Sequence, residues 1–179
     1  MKLLGTIVND RLTWDSNCLY LITKCYKRMP LLHKMSEFGA SETEMLDIYV
    51  KFIRSVLEYS CVVWGSSLTK ENCQMLERVQ KTAVKLIHKD KYKTYKLSLA
   101  QFNIDSLQDR RRQLALTFAK RTLHTDYGPI MFPENEKLDR QLRTVHKYRT
   151  TKCNTTRFQQ SSIPFMESLL NEDFIKSNI

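Results

Sequence analysis

The chain has 179 residues, 42% of them hydrophobic and 27% charged, which suits a cored globular body and excludes collagen-like, mucin-like and coiled-coil architectures. Only four glycines and four prolines punctuate it, a sparseness that favours long helices over an all-β fold. The net charge of +10 is unevenly placed: residues 1–84 carry 11 basic and 9 acidic side chains, residues 85–157 carry 17 and 7, and residues 158–179 carry 1 and 3.

The opening "MKLLGTIVNDRLTW" reads as a hairpin. Leu3, Leu4, Ile7 and Val8 form an apolar run, Asn9 and Asp10 are the expected turn, and Leu12 with Trp14 resumes the alternation. A lone hairpin is marginal in water, so this one needs helices against its apolar face. Asp15 or Ser16 is then placed to cap a helix with apolar positions Cys18, Leu19, Ile22, Cys25, Tyr26, Met29 and Leu32, which Pro30 should bend or break. Gly39 ends that segment, and Ser41 with Glu44 makes a capping box for a helix whose apolar face is Met45, Ile48, Tyr49, Phe52, Ile53, Val56 and Leu57. The run Tyr59, Cys61, Val62, Val63 and Trp64 is too apolar for a surface loop and is expected to be a buried connection.

Thr69 begins a third long helix, with Cys73, Leu76, Val79, Ala83 and Ile87 inward and Lys81 and Lys85 outward. Leu97, Leu99 and Phe102 mark a short helix that Asn103 stops. Ser106 and Asp109 form a second capping box, after which Leu107, Leu114, Leu116, Phe118 and Leu123 are expected in the core and Arg110, Arg111 and Lys120 near solvent. Beyond Gly128 and Pro129 the periodicity weakens into an extended tail, expected to dock through Phe158, Ile163, Phe165 and Leu169, with a last short helix starting at Pro164. The fold class is therefore mainly α, with a short N-terminal β-hairpin.

The five cysteines, Cys18, Cys25, Cys61, Cys73 and Cys153, include no C-x-x-C pair, and the spacings Cys18 to Cys25 and His146 to Cys153 do not suit a zinc knuckle. They read as buried free thiols; a thiol enzyme built on Cys61 or Cys153 is a remote competitor, because no histidine stands at a telling position. His33, His88, His124 and His146 sit among basic or amphipathic neighbours and are expected at the surface. No Asp-Asp pair and no glycine-rich phosphate loop, nucleophile elbow or H-E-x-x-H occurs, so neither catalytic nor metal-binding residues are assigned and no cofactor is expected. No stretch approaches the ~20 apolar residues of a membrane span and no signal-peptide pattern precedes the hairpin, which sets the expectation of a cytoplasmic or nuclear protein that does not engage a membrane. Charge gathered in one segment destabilises a compact body by self-repulsion and points to a polyanionic partner, for which Lys85, Lys89, Lys91, Lys93, Lys96 and the run Arg110, Arg111, Arg112, with a scattered set from Lys137 to Arg157, are the candidates.

Five blocks, "LLGTIVNDRLTWDSN", "LDIYVKFIRSVLEYSCVVWGSS", "LERVQKTAVKLI", "SLQDRRRQLALTFAKR" and "RFQQSSIPFMESLLN", resemble in order and spacing the C-terminal part of reverse transcriptases of non-LTR retrotransposons of the jockey and LINE type. The resemblance implies that residues 1–14 are the closing hairpin of a polymerase palm, residues 15–125 a thumb-like helical domain, and residues 126–179 a loosely structured C-terminal extension. It also implies that fingers and catalytic palm would precede Met1, so that the chain is a truncated product or a fragment without the paired-aspartate metal motif. The implied function is a non-catalytic grip on template–primer nucleic acid. In it Lys85, Lys89, Lys91, Lys93, Lys96 and Arg110 to Arg112 neutralise phosphates without reading bases, and the missing palm is a further partner. The alternative is a helical protein-interaction module presenting apolar surface around Trp14 and residues 59–64.

Overall fold

The structure is a computed structural model that describes residues 1–135 and 146–177, and it is mainly helical behind a two-stranded antiparallel hairpin. Strands β1 (Lys2–Leu3) and β2 (Thr6–Ile7) pair Lys2 with Ile7 and Leu3 with Thr6. An N-terminal hairpin is present as expected, but both of its strands lie within the run expected to be its first strand, Leu12 and Trp14 are in no strand, and the turn is elsewhere. Leu4 and Gly5, with φ of 45° and 86°, form the two-residue turn that needs positive φ at both positions, whereas Asn9 uses its side-chain oxygen to accept from the Thr13 amide at 2.8 Å. The strained Leu4 is held by a distant residue: the Tyr59 hydroxyl donates to its carbonyl at 2.7 Å, and a Cβ on Gly5 would stand 3.2 Å from the Tyr59 ring. Asn17 accepts from the Ile7 amide at 3.0 Å and ties the second strand to the first helix.

Helix α1 (Asp15–Tyr26) starts after Trp14 without a side-chain cap, since the Asp15 carboxylate instead accepts from Asn72 at 2.7 Å. Pro30 breaks the pattern as expected, by standing in the first turn of α2 (Met29–Glu37), where its missing N–H costs nothing. Gly39, at φ 78°, ends α2, and the Ser41–Glu44 capping box opens α3 (Glu42–Ile48). A π-helical segment, Tyr49–Arg54, then leads into α4 (Ser55–Leu57). Met45, Tyr49, Ile53 and Leu57 are all buried at four-residue steps. Such steps outrun the 3.6 residues of an α-turn, and wider π hydrogen bonding keeps the four on one face. Helix α5 (Cys61–Trp64) and a 3-10 turn (Gly65–Ser67) occupy the apolar connection, burying Cys61 and Trp64 but leaving Tyr59 and Val63 about half exposed.

Helix α6 (Lys70–His88) is capped by Thr69 and buries Leu76, Val79, Ala83 and Ile87 as expected. Helices α7 (Tyr95–Gln101) and α8 (Leu107–Thr122) follow, the first ended by Asn103 at φ 51° and the second opened by Ser106, whose hydroxyl accepts from the Asp109 amide at 3.1 Å. The buried stripe of α8 is Leu107, Arg111, Ala115, Ala119 and Thr122, so Phe118, expected inside, is exposed, and Arg111, expected near solvent, is buried. Helices α9 (Gly128–Met131), α10 (Thr156–Gln159) and α11 (Ser162–Ser177) complete the chain. The last is sixteen residues long rather than short, and Phe158 and Ile163, expected to dock, are exposed.

The chain divides into two compact units, residues 1–61 with 68–111 and residues 62–67 with 112–179. In the first, α6 is central and packs against α1, α2, α3 and α7. The second has its own core of Ala115, Ala119, Phe132, Tyr148, Met166, Leu169 and Leu170. Its irregular strand-like segment is fixed by two buried polar residues one helical turn apart on α11. Asn171 accepts from the Tyr148 amide at 2.9 Å and donates to its carbonyl at 3.0 Å, while the Glu167 carboxylate accepts from the Thr151 amide and hydroxyl at 2.7 and 2.8 Å. Each thus gives the backbone or hydroxyl of the neighbouring segment the partner that burial demands.

Candidate functional site

The basic residues singled out from the sequence meet three different fates. Lys85, Lys89, Lys91, Lys93 and Lys96 are all exposed, running from the outer face of α6 through a 3-10 turn (Lys89–Lys91) into the first turn of α7. Lys91 is paired with Glu42 at 2.8 Å, an exposed ion pair of the kind that contributes little, and Lys89 donates to the Ser36 carbonyl at 3.3 Å. Lys85, Lys93 and Lys96 have no partner among the described residues. Two further cations extend the same stripe: Arg78 and Lys81 lie seven and four residues before Lys85 and are likewise exposed. Helical spacing was the signal that could have added them, since i, i+3 and i+7 share one face.

The three arginines do not join that stripe. Successive residues of an α-helix point about 100° apart, so a run of three cannot serve one surface. Arg110 grips Glu58 with two parallel bonds, Nε to Oε1 at 2.9 Å and Nη2 to Oε2 at 3.1 Å, and this partner holds its already high pKa higher still. Arg112 belongs to the second unit, where it pairs with Glu172. Lys120 of the same unit pairs with Asp173 at 2.7 Å. Arg111 is 5% exposed, and its Nη1 and Nη2 have no hydrogen-bond partner among the described residues. The stretch of the basic segment with Lys137, Arg140 and Arg143 lies outside the described residues.

An uncompensated guanidinium in a helix core costs several kcal/mol in desolvation, so Arg111→Met, which keeps the length of the stem and removes the charge, is expected to stabilise the protein by about 1–3 kcal/mol in urea denaturation. A loss of stability on that substitution would mean that the guanidinium has a partner after all.

The other candidates change place as well. His88, expected at the surface, is 2% exposed and stacks on Phe102 with ring centroids 4.2 Å apart, while His33, His124 and His146 are exposed. Burial pushes the Cys18 and Cys25 thiols up to about 12 and the Cys61 thiol to about 11, the opposite of what a nucleophile needs. Cys153 is half-buried and its thiol donates to the Thr151 carbonyl at 3.2 Å. Of the apolar surface expected around Trp14 and residues 59–64, Trp14, Cys61 and Trp64 are buried, while Tyr59 and Val63 are about half exposed. Among the described residues no group of histidine, cysteine or acidic side chains could hold a metal ion, and no helix is long and apolar enough to cross a membrane. No protein-family model matches the chain, and no curated protein or solved structure is significantly similar to it.

Proposed function

We propose that this chain is a non-catalytic grip on template–primer nucleic acid, acting in the cytoplasm or nucleus as the thumb-like C-terminal part of a non-LTR retrotransposon reverse transcriptase, with the polymerase palm as a further partner. The observation that carries the reading is the unpaired cationic stripe. Lys81 and Lys85 on α6 and Lys93 and Lys96 beyond it stand exposed without a carboxylate partner among the described residues, and from Lys85 onward they lie in the segment, residues 85–157, that holds the charge excess of the chain. Such a stripe repels itself and is relieved by a phosphate backbone, whose bound counterions are released in exchange. Ordered sequence blocks that resemble the reverse transcriptase supply the kind of duplex. The arginine run carries none of this reading, having found other partners or the core.

The test is binding of a fluorescent primer–template duplex across salt concentrations. Replacing Lys85, Lys89, Lys93 and Lys96 with Gln is expected to weaken binding at least about tenfold at low salt and to flatten the slope of log K against log salt by about 3, since each phosphate left without its cation takes away about 0.7–0.9. Arg111→Met is expected to leave both quantities unchanged. Equal affinity and slope in the quadruple variant would overturn the reading.

A second reading, a helical protein-interaction module, has Phe38 in its favour: it follows α2 and is 88% exposed. Protein binding insensitive to salt and abolished by Phe38→Ser would favour it.

A further inference from the structure

We propose that the cleft between the hairpin, α1 and α4 is a binding site for a phosphomonoester with a nucleoside-sized apolar body. The cleft is open, has a volume of about 440 Å³, and lies wholly within the first unit. Three cations line it, Lys2 from β1 and Lys24 and Arg28 from α1 and its end, and no carboxylate does. Among the described residues no carboxylate pairs with any of the three, so the cleft is a concave surface of uncompensated positive charge.

Two of the three are held in place before any ligand arrives. The Lys2 ammonium donates to the Tyr20 hydroxyl at 2.9 Å and sits 4.8 Å from the centre of that ring. Arg28 stacks on Phe52, 4.3 Å from its centroid, and donates to the Phe52 carbonyl. Preorganised cations lose little side-chain freedom on binding, which is the condition under which a short charged ligand gains affinity. The positive potential is felt within the cleft, where the Lys2 hydrogen bond and the nearby lysines hold the Tyr20 hydroxyl below its ordinary pKa. The rest of the lining is Gly5, Leu21, Val56, Ser55 and the aromatic Tyr20 and Tyr59, an uncharged surface that suits a flat body rather than a second charge.

Volume decides between inorganic phosphate and something larger. Sites for whole small molecules run from about 300 to 1,000 Å³. A cleft of about 440 Å³ leaves most of its space unfilled by a bare phosphate and has room for a body of nucleoside size beside it. This inference is independent of the α6–α7 stripe, because none of Lys85, Lys89, Lys93 and Lys96 lines the cleft.

The experiment is calorimetric titration of the full chain with adenosine 5′-monophosphate, adenosine and inorganic phosphate, and with a short oligonucleotide bearing or lacking a 5′-phosphate. Expected is an order of affinity in which the monophosphate exceeds both adenosine and inorganic phosphate. With Lys24→Gln and Arg28→Gln together, whose folding is checked by circular dichroism, the monophosphate is expected to bind about tenfold or more weakly, because two charge-assisted bonds to it are removed. The quadruple lysine variant is expected to bind it as the parent does. A preference for the 5′-phosphorylated over the plain oligonucleotide would place the source of the phosphomonoester at a nucleic-acid end, and equal binding of the two would assign it to the free nucleotide. Adenosine binding as tightly as its monophosphate, no binding of any probe, or an unchanged affinity in the folded double variant would each overturn the proposal. Should the quadruple variant lose the monophosphate while the double variant keeps it, the phosphate chemistry belongs to the α6–α7 stripe.

Discussion

Raising the pH from 8 to about 10.5 is expected to destabilise the first unit strongly, with stability falling by about 4 kcal/mol per pH unit once the medium passes the ordinary thiol pKa. Cys18, Cys25 and Cys61 are 0–3% exposed, and burial holds their thiols at about 12, 12 and 11 against an ordinary value of 9.0. The sign follows from proton counting. Below pH 9 both folded and unfolded chains keep the three protons, so the folded state loses nothing. Between pH 9 and 11 the unfolded chain releases them and the folded chain cannot, so each thiol tilts the balance toward unfolding by about 1.4 kcal/mol per unit. Tyr49, whose pKa burial also raises, adds to the effect above pH 10. From pH 9 to 10.5 the three amount to about 6 kcal/mol, which cancels a stability at the lower end of the typical range of about 5–15 kcal/mol. Urea denaturation followed by far-ultraviolet circular dichroism at pH 7, 8, 9 and 10 measures the slope. Cys18→Ala, Cys25→Ala and Cys61→Ala combined should start less stable but lose most of the pH dependence. If native thiol absorbance instead rises with a midpoint near 9, these cysteines are open to solvent and the account of the core is wrong.

How far the fold could be read in advance depended on the distance over which each feature is determined. Both serine-headed helix starts, at Ser41 and Ser106, the stop at Gly39 and the break before Pro30 are decided within four or five residues, and all are found. The hairpin turn is not local. Asn9–Asp10 is the better turn sequence, yet Leu4–Gly5 makes the turn because Tyr59, fifty-five residues away, holds the Leu4 carbonyl. Helix α8 shows a second reason. Its conspicuous apolar residues, Leu114, Leu116 and Phe118, drew the expected core face; Leu116 does pack against the core at its edge, but the buried stripe is carried by Ala115 and Ala119, whose small side chains admit close packing but give hydrophobic periodicity little amplitude. The same rotation takes Arg111 inward and separates it from its neighbours in sequence. Charge composition therefore located the cationic segment, and only the helix register could show that its lysines stay exposed while the arginines are paired or buried.

Gln80→Leu is expected to destabilise the first unit by about 3 kcal/mol, although leucine matches glutamine in size and the site is fully buried. The side chain of Gln80 uses both ends. Its oxygen accepts from the Tyr49 hydroxyl at 2.5 Å, and its nitrogen donates to the Tyr95 hydroxyl and to the Asp105 carbonyl, each at 2.9 Å. Tyr95 in turn donates to the Glu77 carboxylate, whose same oxygen accepts from the Leu107 amide at 3.3 Å at the start of α8. One amide, itself fully buried, thus links the π-helical segment, α6, α7 and the approach to α8. Leucine leaves the buried Tyr49 hydroxyl without the acceptor it has here and takes the amide donor from the Asp105 carbonyl, and a buried group so stranded costs about 1–3 kcal/mol. Tyr49→Phe alone should cost less, about 1–2 kcal/mol, because it strands only the glutamine oxygen. With both substitutions the pair becomes apolar on both sides, and the loss should fall short of the sum of the singles by about 1 kcal/mol or more. Additive losses in that cycle, or a Gln80→Leu protein as stable as its parent, would mean that the four elements are joined by apolar packing alone and that the buried amide fixes nothing.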